Sequence, residues 1–427
     1  MPITRREFVK SAGLATAAGA IAPTILTSGK AVARSTRANE KIAIGVIGLG
    51  IQGRYTTSRY FLKNARTRVV ALCDVDTTRR EHTRAEVNKT YDDQGCAAYI
   101  DYRELLARPD IDAVVIMTPD HWHATQCMHA AAAGKDIYCE KPLTHTLEEN
   151  RRLIECVRKH SRVFQTGSQQ RTEYDHRFVQ ACDYVRNGRI GKLLNVSVGV
   201  GDPPKACDLP EEEMESGLDW DLWLGPAPSR PYHSVLSPRG INNFYPAWRA
   251  YWDYCGGYLA DMGTHHYDIA QWGMDADATG PIEAVPAIDG DRMRGVALKY
   301  ATGVTVTHGG PSGTTFIGTN GLIHVDRGRL HSVPGDLFDK PLEDDASRLP
   351  RHVNHGENWI DCIYSREKPI CDVEVGARTA AMCQLVNVVY RHNTAVQWDP
   401  KTWRFVGSSK PEWMDYQRRS QFALPQA

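Results

Sequence analysis

The sequence predicts an α/β protein of two domains: an N-terminal doubly wound parallel sheet, then an α/β domain with an open, mostly antiparallel sheet. Three observations carry this. From residue 41 to about residue 160, short apolar runs alternate with helical patterns, as βαβ units require. Beyond residue 190 the apolar runs recur in strand fashion with few helices between them. And 427 residues exceed what one hydrophobic core usually organises.

In chain order, strands are expected at 42–47, 68–73, 113–117 and 136–139, with helices at 52–62, 78–88, 124–133 and 147–159. A further strand at 163–165 and a helix at 175–186 follow. Strands at 193–200, 296–300, 304–307 and 322–325 build the second sheet, and helices at 358–365 and 373–390 close the chain. The stretch 201–256 is rich in Pro, Trp, Tyr and Asp without periodicity, which marks either a functional segment or one packed by domain swapping. The domain expectation is a leader at 1–33, a dinucleotide-binding domain at 40–160, and a substrate-binding and oligomerisation domain at 161–427.

Lys+Arg and Asp+Glu both number 51, so the net charge is zero and neither nucleic acid nor an anionic membrane is indicated as partner. Apolar content of 42% and charged content of 24% suit a soluble globular protein. Eleven cysteines, an odd number without a CxxC pair, read as reduced core residues and not as a disulfide framework. At the N-terminus, Thr4-Arg5-Arg6-Glu7-Phe8-Val9-Lys10 leads into a weakly apolar stretch and Ala31-Val32-Ala33. That order is a twin-arginine leader with a small-residue cleavage site, and it predicts a periplasmic protein exported folded by the twin-arginine machinery, with no stable membrane anchor.

The first strand runs into Gly48-Leu49-Gly50-Ile51-Gln52-Gly53, a GxGxxG loop that opens a helix. Gly48, Gly50 and Gly53 sit where a tight turn, pyrophosphate approach and helix–strand packing each exclude a side chain. Ile51 and Gln52 start the helix whose N–H groups face phosphate. Asp74, 21 residues beyond Gly53 and at the end of the second strand, is placed to accept the ribose hydroxyls of NAD. Arg79 and Arg80 nearby keep NADP open as the alternative. Together these features predict a Rossmann domain.

Three further motifs are Thr118-Pro119-Asp120-His121-Trp122-His123, Cys139-Glu140-Lys141-Pro142 and Gly256-Gly257-Tyr258-Leu259-Ala260-Asp261-Met262-Gly263-Thr264-His265-His266-Tyr267-Asp268. In this order they resemble the Gfo/Idh/MocA oxidoreductases across essentially the whole mature chain. The resemblance implies a sugar or polyol substrate, a homo-oligomer assembled through the open sheet, and catalytic roles for Lys141, Asp261 and His265. It also implies Thr118, Pro119, His123, Glu140 and Lys141 along the cofactor. Where many relatives carry asparagine after Thr-Pro, this chain has Asp120.

The residue types suit the chemistry. An alcohol is too weak an acid to ionise unaided, so a histidine with an ordinary pKa of about 6.5 serves as base, worth about a hundred- to ten-thousand-fold in rate. Lys141 can donate to the same oxygen while Asp261 orients the pair. Asp261, His265 and Asp268 are spaced to share one helix face, with Asp268 structural or substrate-orienting. His121 and His123 lack a third ligand, so no metal is expected. On the substrate side, Gln169, Arg171, Arg249, Trp252 and His266 supply polar and aromatic groups suited to a pyranose. Of Trp220, Trp223, Trp248 and Trp252, at least half are expected to be core or interface anchors.

The expected function is an NAD(P)-dependent oxidoreductase acting on a secondary alcohol or ketone, its cofactor tightly bound and recycled in place. The alternative is a redox-neutral NAD-dependent glycosidase of the family 109 type, which oxidises, eliminates and returns the hydride. A non-catalytic sugar-binding protein is disfavoured by the intact Lys141, Asp261 and His265.

Overall fold

The computed structural model describes residues 41–426, so the leader expected at residues 1–33 lies outside the described residues. Strands β1 (Ile42–Ile47), β2 (Thr67–Cys73), β3 (Ala97–Tyr99), β4 (Ala113–Ile116), β5 (Asp136–Cys139) and β6 (Phe164–Thr166) form a parallel sheet in the order β3-β2-β1-β4-β5-β6. Helices α1 (Ile51–Thr56), α2 (Thr77–Tyr91), α3 (Tyr102–Leu106), α4 (Asp120–Ala132) and α5 (Leu147–Lys159) lie between the strands in sequence. The strand order reverses between β1 and β4, which opens a crevice at their carboxyl ends.

Both faces of this sheet are buried, which is why its strands read as continuous apolar runs. Ala113 and Val115 join Ile42, Ile44 and Val46 on one face, and Val114 and Ile116 join Ile47 on the other. The structure adds β3 and α3 to the expected elements. They are too short, at three and five residues, to show a period. The first helix passes into a π-helical turn at Thr57–Phe61. Helix α4 begins at Asp120, earlier than expected, because extended Pro119 ends the preceding loop at once. A capping box between Thr146 and Glu149 starts α5 where the pattern indicated. Pairing of β6 with β5 carries the parallel sheet to Thr166, past the boundary expected at 160.

The second layer contains α6 (Arg177–Arg186), β7 (Leu193–Gly199), α7 (Trp220–Leu224), α8 (Gly257–Gly273), β8 (Glu283–Val285), β9 (Ala297–Lys299), β10 (Thr305–Gly318), β11 (Gly321–Val325), β12 (Leu330–Val333), α9 (His355–Ser365), α10 (Val373–His392), β13 (Val396–Asp399) and β14 (Arg404–Phe405). Its sheet runs β12-β11-β10-β9-β8-β13-β14, with β7 against β10. Strand β10 is far longer than the expected 304–307. It passes through Gly309, Gly310 and Gly313, all at positive φ, and both its halves pair with β7. Helix α8 packs on this sheet so closely that a Cβ at Gly273 would lie 2.4 Å from the Phe316 ring. Helix α9 turns back to the first layer, where Trp359 packs edge-on against Phe61 and Tyr138.

The 201–256 segment carries α7 and one turn of 3-10 helix at Ala247–Ala250. An aromatic core of its own, with Trp220, Trp223, Tyr232, Trp248 and Tyr254, replaces regular hydrogen bonding as its organising force. It clasps the β2–α2 junction: Thr77 N donates to Gly217 O at 2.9 Å and Asp219 N to Val75 O at 3.0 Å. All eleven cysteines are free; ten are buried and Cys207 is half-buried. No helix among the described residues is long and apolar enough to cross a membrane.

Candidate active site

A cleft of about 690 Å³ opens at the crevice between the β1 and β4 ends and is walled by both layers and by the 201–256 segment. At its dinucleotide side, Gly48 has φ +91°, and a Cβ there would lie 2.7 Å from the Met117 carbonyl carbon. A Cβ at Gly53 would lie 2.0 Å from Gly48 O, so that glycine packs helix on strand and does not itself line the cleft. Gly50, by contrast, has nothing within 4 Å of its Cβ position and leaves the space a pyrophosphate needs. Asp74 lines the same wall, with Oδ2 accepting from Leu49 N at 2.6 Å and Oδ1 from Asp76 N at 2.9 Å. Each oxygen keeps a second lone pair for a ribose hydroxyl. The residues therefore fit a dinucleotide.

The neighbouring cations are already engaged. Arg79 donates to Ser237 Oγ at 3.2 Å and to Pro238 O, and Arg80 donates to Asp74 O at 2.9 Å. Arg54 reaches Asn242 O at 2.6 Å. Across the cleft, Gln52 Nε2 donates to Glu140 Oε1 at 3.1 Å while Gln52 Oε1 accepts from Tyr245 OH at 3.0 Å. The 201–256 segment is thus tied over the dinucleotide side at several points.

At the other end, Lys141 leaves β5 and Asp261 and His265 project from adjacent turns of α8, all three lining the cleft. Lys141 Nζ donates to Asp261 Oδ1 and to Asp261 O, both at 2.7 Å, and Arg249 Nε lies 3.2 Å from the same Oδ1. Burial pulls the Lys141 ammonium toward neutrality, but the Asp261 and Glu140 carboxylates outweigh it and the pKa is raised. Asp261 shows the mirror balance: burial pushes it up, Lys141 and Arg249 pull it down further, and it stays below the usual carboxylate range. His265 makes no side-chain hydrogen bond among the described residues, and its Nδ1 is buried without a partner. Burial, with the charges of Lys141 and Arg327 adding, holds it well below its ordinary pKa and therefore neutral.

Several expectations are corrected by these contacts. Asp261 orients Lys141 and Arg249, not His265. Arg171 is 1% exposed and forms two-pronged ion pairs with Asp268 and Asp277, so it serves the core beneath the site and does not face substrate. Asp268 shares the stripe of Asp261 and His265, but two turns along α8 the stripe has passed from cleft to core. His266 is buried with Nδ1 on Thr314 Oγ1 at 3.2 Å, and Trp252 lies under the Arg391 guanidinium; neither lines the cleft. His123 is also behind the wall. Its ring nitrogens lie 2.7 Å from Pro142 O and 2.8 Å from Thr118 O, and burial lowers it to about 4, so the neutral ring donates to one of these two carbonyls.

The remaining residues do line the cleft. Ile51, Thr118, Pro119 and Glu140 face the cofactor side, and Gln169 stands beside Glu140, donating to its Oε1 at 2.8 Å. Arg249 lies over the Trp248 ring at 4.2 Å. Sequence reasoning missed Tyr245, Tyr174 and Arg327, all on the wall, and undervalued Asp120. The Asp120 carboxyl is 2% exposed with Oδ2 unpartnered, and burial, with Asp261 adding, pushes its pKa up to about 7.

Comparison with known proteins gives the class. Residues 42–168 match the family model "Oxidoreductase family, NAD-binding Rossmann fold" and residues 205–424 match "Oxidoreductase family, C-terminal alpha/beta domain". The chain belongs to the Gfo/Idh/MocA oxidoreductase family. It is 33% identical over 169 residues to the uncharacterized oxidoreductase YrbE of Bacillus subtilis, covering 39% of this chain and 46% of that protein. It is 27% identical over 208 residues to a glycosyl hydrolase family 109 protein of a Shewanella species, covering 45% of each. The chain thus spans about half the length of the curated relatives it matches. A crystal structure of aldose-aldose oxidoreductase from Caulobacter crescentus shares the fold at a TM-score of 0.57 and 18% identity, covering 84% of this chain and 100% of that one.

Proposed function

We propose that the protein is an NAD(P)-dependent oxidoreductase acting on a secondary alcohol or ketone of a sugar or polyol, with NAD the preferred cofactor, held tightly and recycled in place. The observation that carries this is the meeting of Lys141, Asp261 and His265 in one cleft with the glycine loop and Asp74. The nicotinamide, when bound, accepts or returns the hydride. The pKa directions divide the protein's work: Lys141 remains an ammonium and donates to the substrate oxygen, while neutral His265 accepts the hydroxyl proton. Asp261 holds the Lys141 ammonium in position. The C–H electron pair leaves as hydride, the O–H proton moves to imidazole, and the carbonyl forms.

Preference for NAD rests on the spare lone pairs of Asp74 and on the prior engagement of Arg79 and Arg80, which leaves no free guanidinium for a ribose phosphate. Tight retention is supported by the segment tied across the dinucleotide side through Arg54, Arg79 and Gln52. Export folded around its cofactor, on the Arg5-Arg6 leader, would then remove any need for nicotinamide outside the cytoplasm. Replacing both arginines by lysine should leave the protein cytoplasmic.

A second reading is favoured by the Shewanella family 109 match: transient oxidation, elimination of the glycosidic bond, and return of the hydride. A panel of free sugars, polyols and aryl glycosides separates the two. The oxidoreductase reading predicts stoichiometric reduction of bound nicotinamide by a free sugar, discharged by a second carbonyl compound. Aglycone release with no net reduction would transfer the protein to the second reading.

A further inference from the structure

Resting on the oxidoreductase reading of this cleft, we propose that Arg327 reads a carboxylate on the substrate, making the preferred substrate an acidic sugar. Arg327 sits at the tip of the hairpin joining β11 to β12 and lines the cleft on the His265 side. That tip is rigid: Asp326 N donates to Arg329 O at 2.9 Å, and Asp326 Oδ1 accepts from Gly328 N at 2.6 Å and Arg329 N at 2.7 Å.

The side chain is held from two sides, and its backbone from a third, without being neutralised. Its Nε donates to Gln170 Oε1 at 3.1 Å, and Gln170 in turn donates to His265 O at 3.0 Å, so the guanidinium is linked to the backbone of the proposed base. Its plane carbon lies 5.2 Å from the centre of the Tyr174 ring. Arg177 Nη1 fixes the Arg327 carbonyl at 2.8 Å. No carboxylate among the described residues forms an ion pair with it, whereas of the other cleft cations Arg59 pairs with Glu173, Arg79 with Asp76, and Lys141 and Arg249 with Asp261.

The Tyr174 support is itself costly. Tyr174, Asp175 and His176 have φ of 61°, 54° and 56°, three successive left-handed residues without a glycine. Each such residue costs of order 1 kcal/mol or more and persists only where the surroundings enforce it. Here His176 Nε2 is anchored 3.1 Å from His352 O, and the turn delivers the Tyr174 ring beneath Arg327.

With Nε occupied, the two Nη groups remain as an end-on fork. That fork matches a single planar carboxylate through two parallel hydrogen bonds. A phosphate dianion would call for a second unpaired cation beside it, which the described residues do not supply. The occupant is therefore a carboxylated sugar, a uronate or its glycoside.

The test uses the full-length protein loaded with NAD and titration calorimetry with methyl glucuronoside and methyl galacturonoside, their neutral hexoside twins, and the corresponding hexoside phosphates. An acidic member should bind about tenfold or more tighter than its neutral twin, the range for a charge-assisted pair. Arg327→Gln should collapse that ratio to near unity and Arg327→Lys should restore it in part, with NAD retained in both. Equal binding of acid and neutral twin, no binding by either acid, or a preference that survives Arg327→Gln overturns the proposal, and tighter binding of the phosphates overturns the carboxylate assignment. Near-ultraviolet absorbance of reduced nicotinamide, recorded in parallel, reports the oxidoreductase reading separately: acid binding without any spectral change would sink that reading and leave the anion site standing.

Discussion

The two ends of the cleft are built on opposite principles. At the dinucleotide end most polar groups have a protein partner, Arg79 Nε and Asn242 Oδ1 excepted: Asp74 holds two backbone amides, Arg79 and Arg80 hold carbonyls, and Gln52 bridges Glu140 to Tyr245. At the other end, buried polar atoms lack partners, namely His265 Nδ1 and Asp120 Oδ2, and Arg327 carries an unpaired charge. A satisfied network is rigid and suits something bound once and kept. Unsatisfied groups store free energy that only a visiting molecule or proton can recover, which suits turnover.

The largest effects should follow from removing groups at the unsatisfied end. His265→Ala and Lys141→Ala should each lower turnover by about a hundred- to ten-thousand-fold while nucleotide remains bound. Single-turnover kinetics with nucleotide quantified in the same sample would check both; comparable loss of nucleotide would erase the distinction between the ends.

Next in size is the burden of Asp120. Its carboxyl rises from about 3.8 to about 7 through burial, so the folded state holds a proton that the unfolded chain releases. Stability from this group is therefore complete below about pH 4, declines as pH rises, and is lost above about pH 7, a difference of at most about 4 kcal/mol. Asp120→Asn should flatten that decline, as read by denaturant titrations from acid to neutral pH. An unchanged slope would mean that Asp261, Lys141 and Arg249, which share its field, set the pH dependence instead.

Smaller changes are expected at the satisfied end. Asp74→Asn should weaken NAD binding about tenfold, the scale of one charged hydrogen bond, measured by calorimetry on protein stripped of nucleotide. Arg79→Met should loosen the 201–256 segment and speed cofactor release by about threefold, within the range of a single hydrogen bond. If Arg79→Met instead abolished retention, the clasp would be a single latch and not a distributed one.

The same contrast explains what the sequence made legible. The glycine loop, Asp74 and the strand-end Lys141 are local signals, because each motif sits at the carboxyl end of its own strand and the sheet order brings them together. The spacing of Asp261 and His265 was equally readable, since both lie within one helix. Arg327 was not, because a hairpin tip has no periodicity and its place beside His265 depends on how the β11–β12 hairpin folds back near α8, far away in sequence. Arg171 misled for the same reason. Its residue type suited a sugar, but only the fold reveals that it is buried against Asp268 and reaches the half-buried Asp277. The irregular 201–256 segment stood out by composition, yet its place on the cleft wall and its clasp over β2–α2 consist of contacts between residues far apart in sequence.

One measurement tests the assignment of this cleft most directly: the near-ultraviolet spectrum of the dialysed protein, with and without substrate from the sugar panel, for wild type and His265→Ala. Wild type should retain nucleotide and show a burst of reduced nicotinamide approaching one per chain, while His265→Ala retains nucleotide and shows none in the same interval. A wild-type protein emptied by dialysis, or a burst undiminished in His265→Ala, would contradict it.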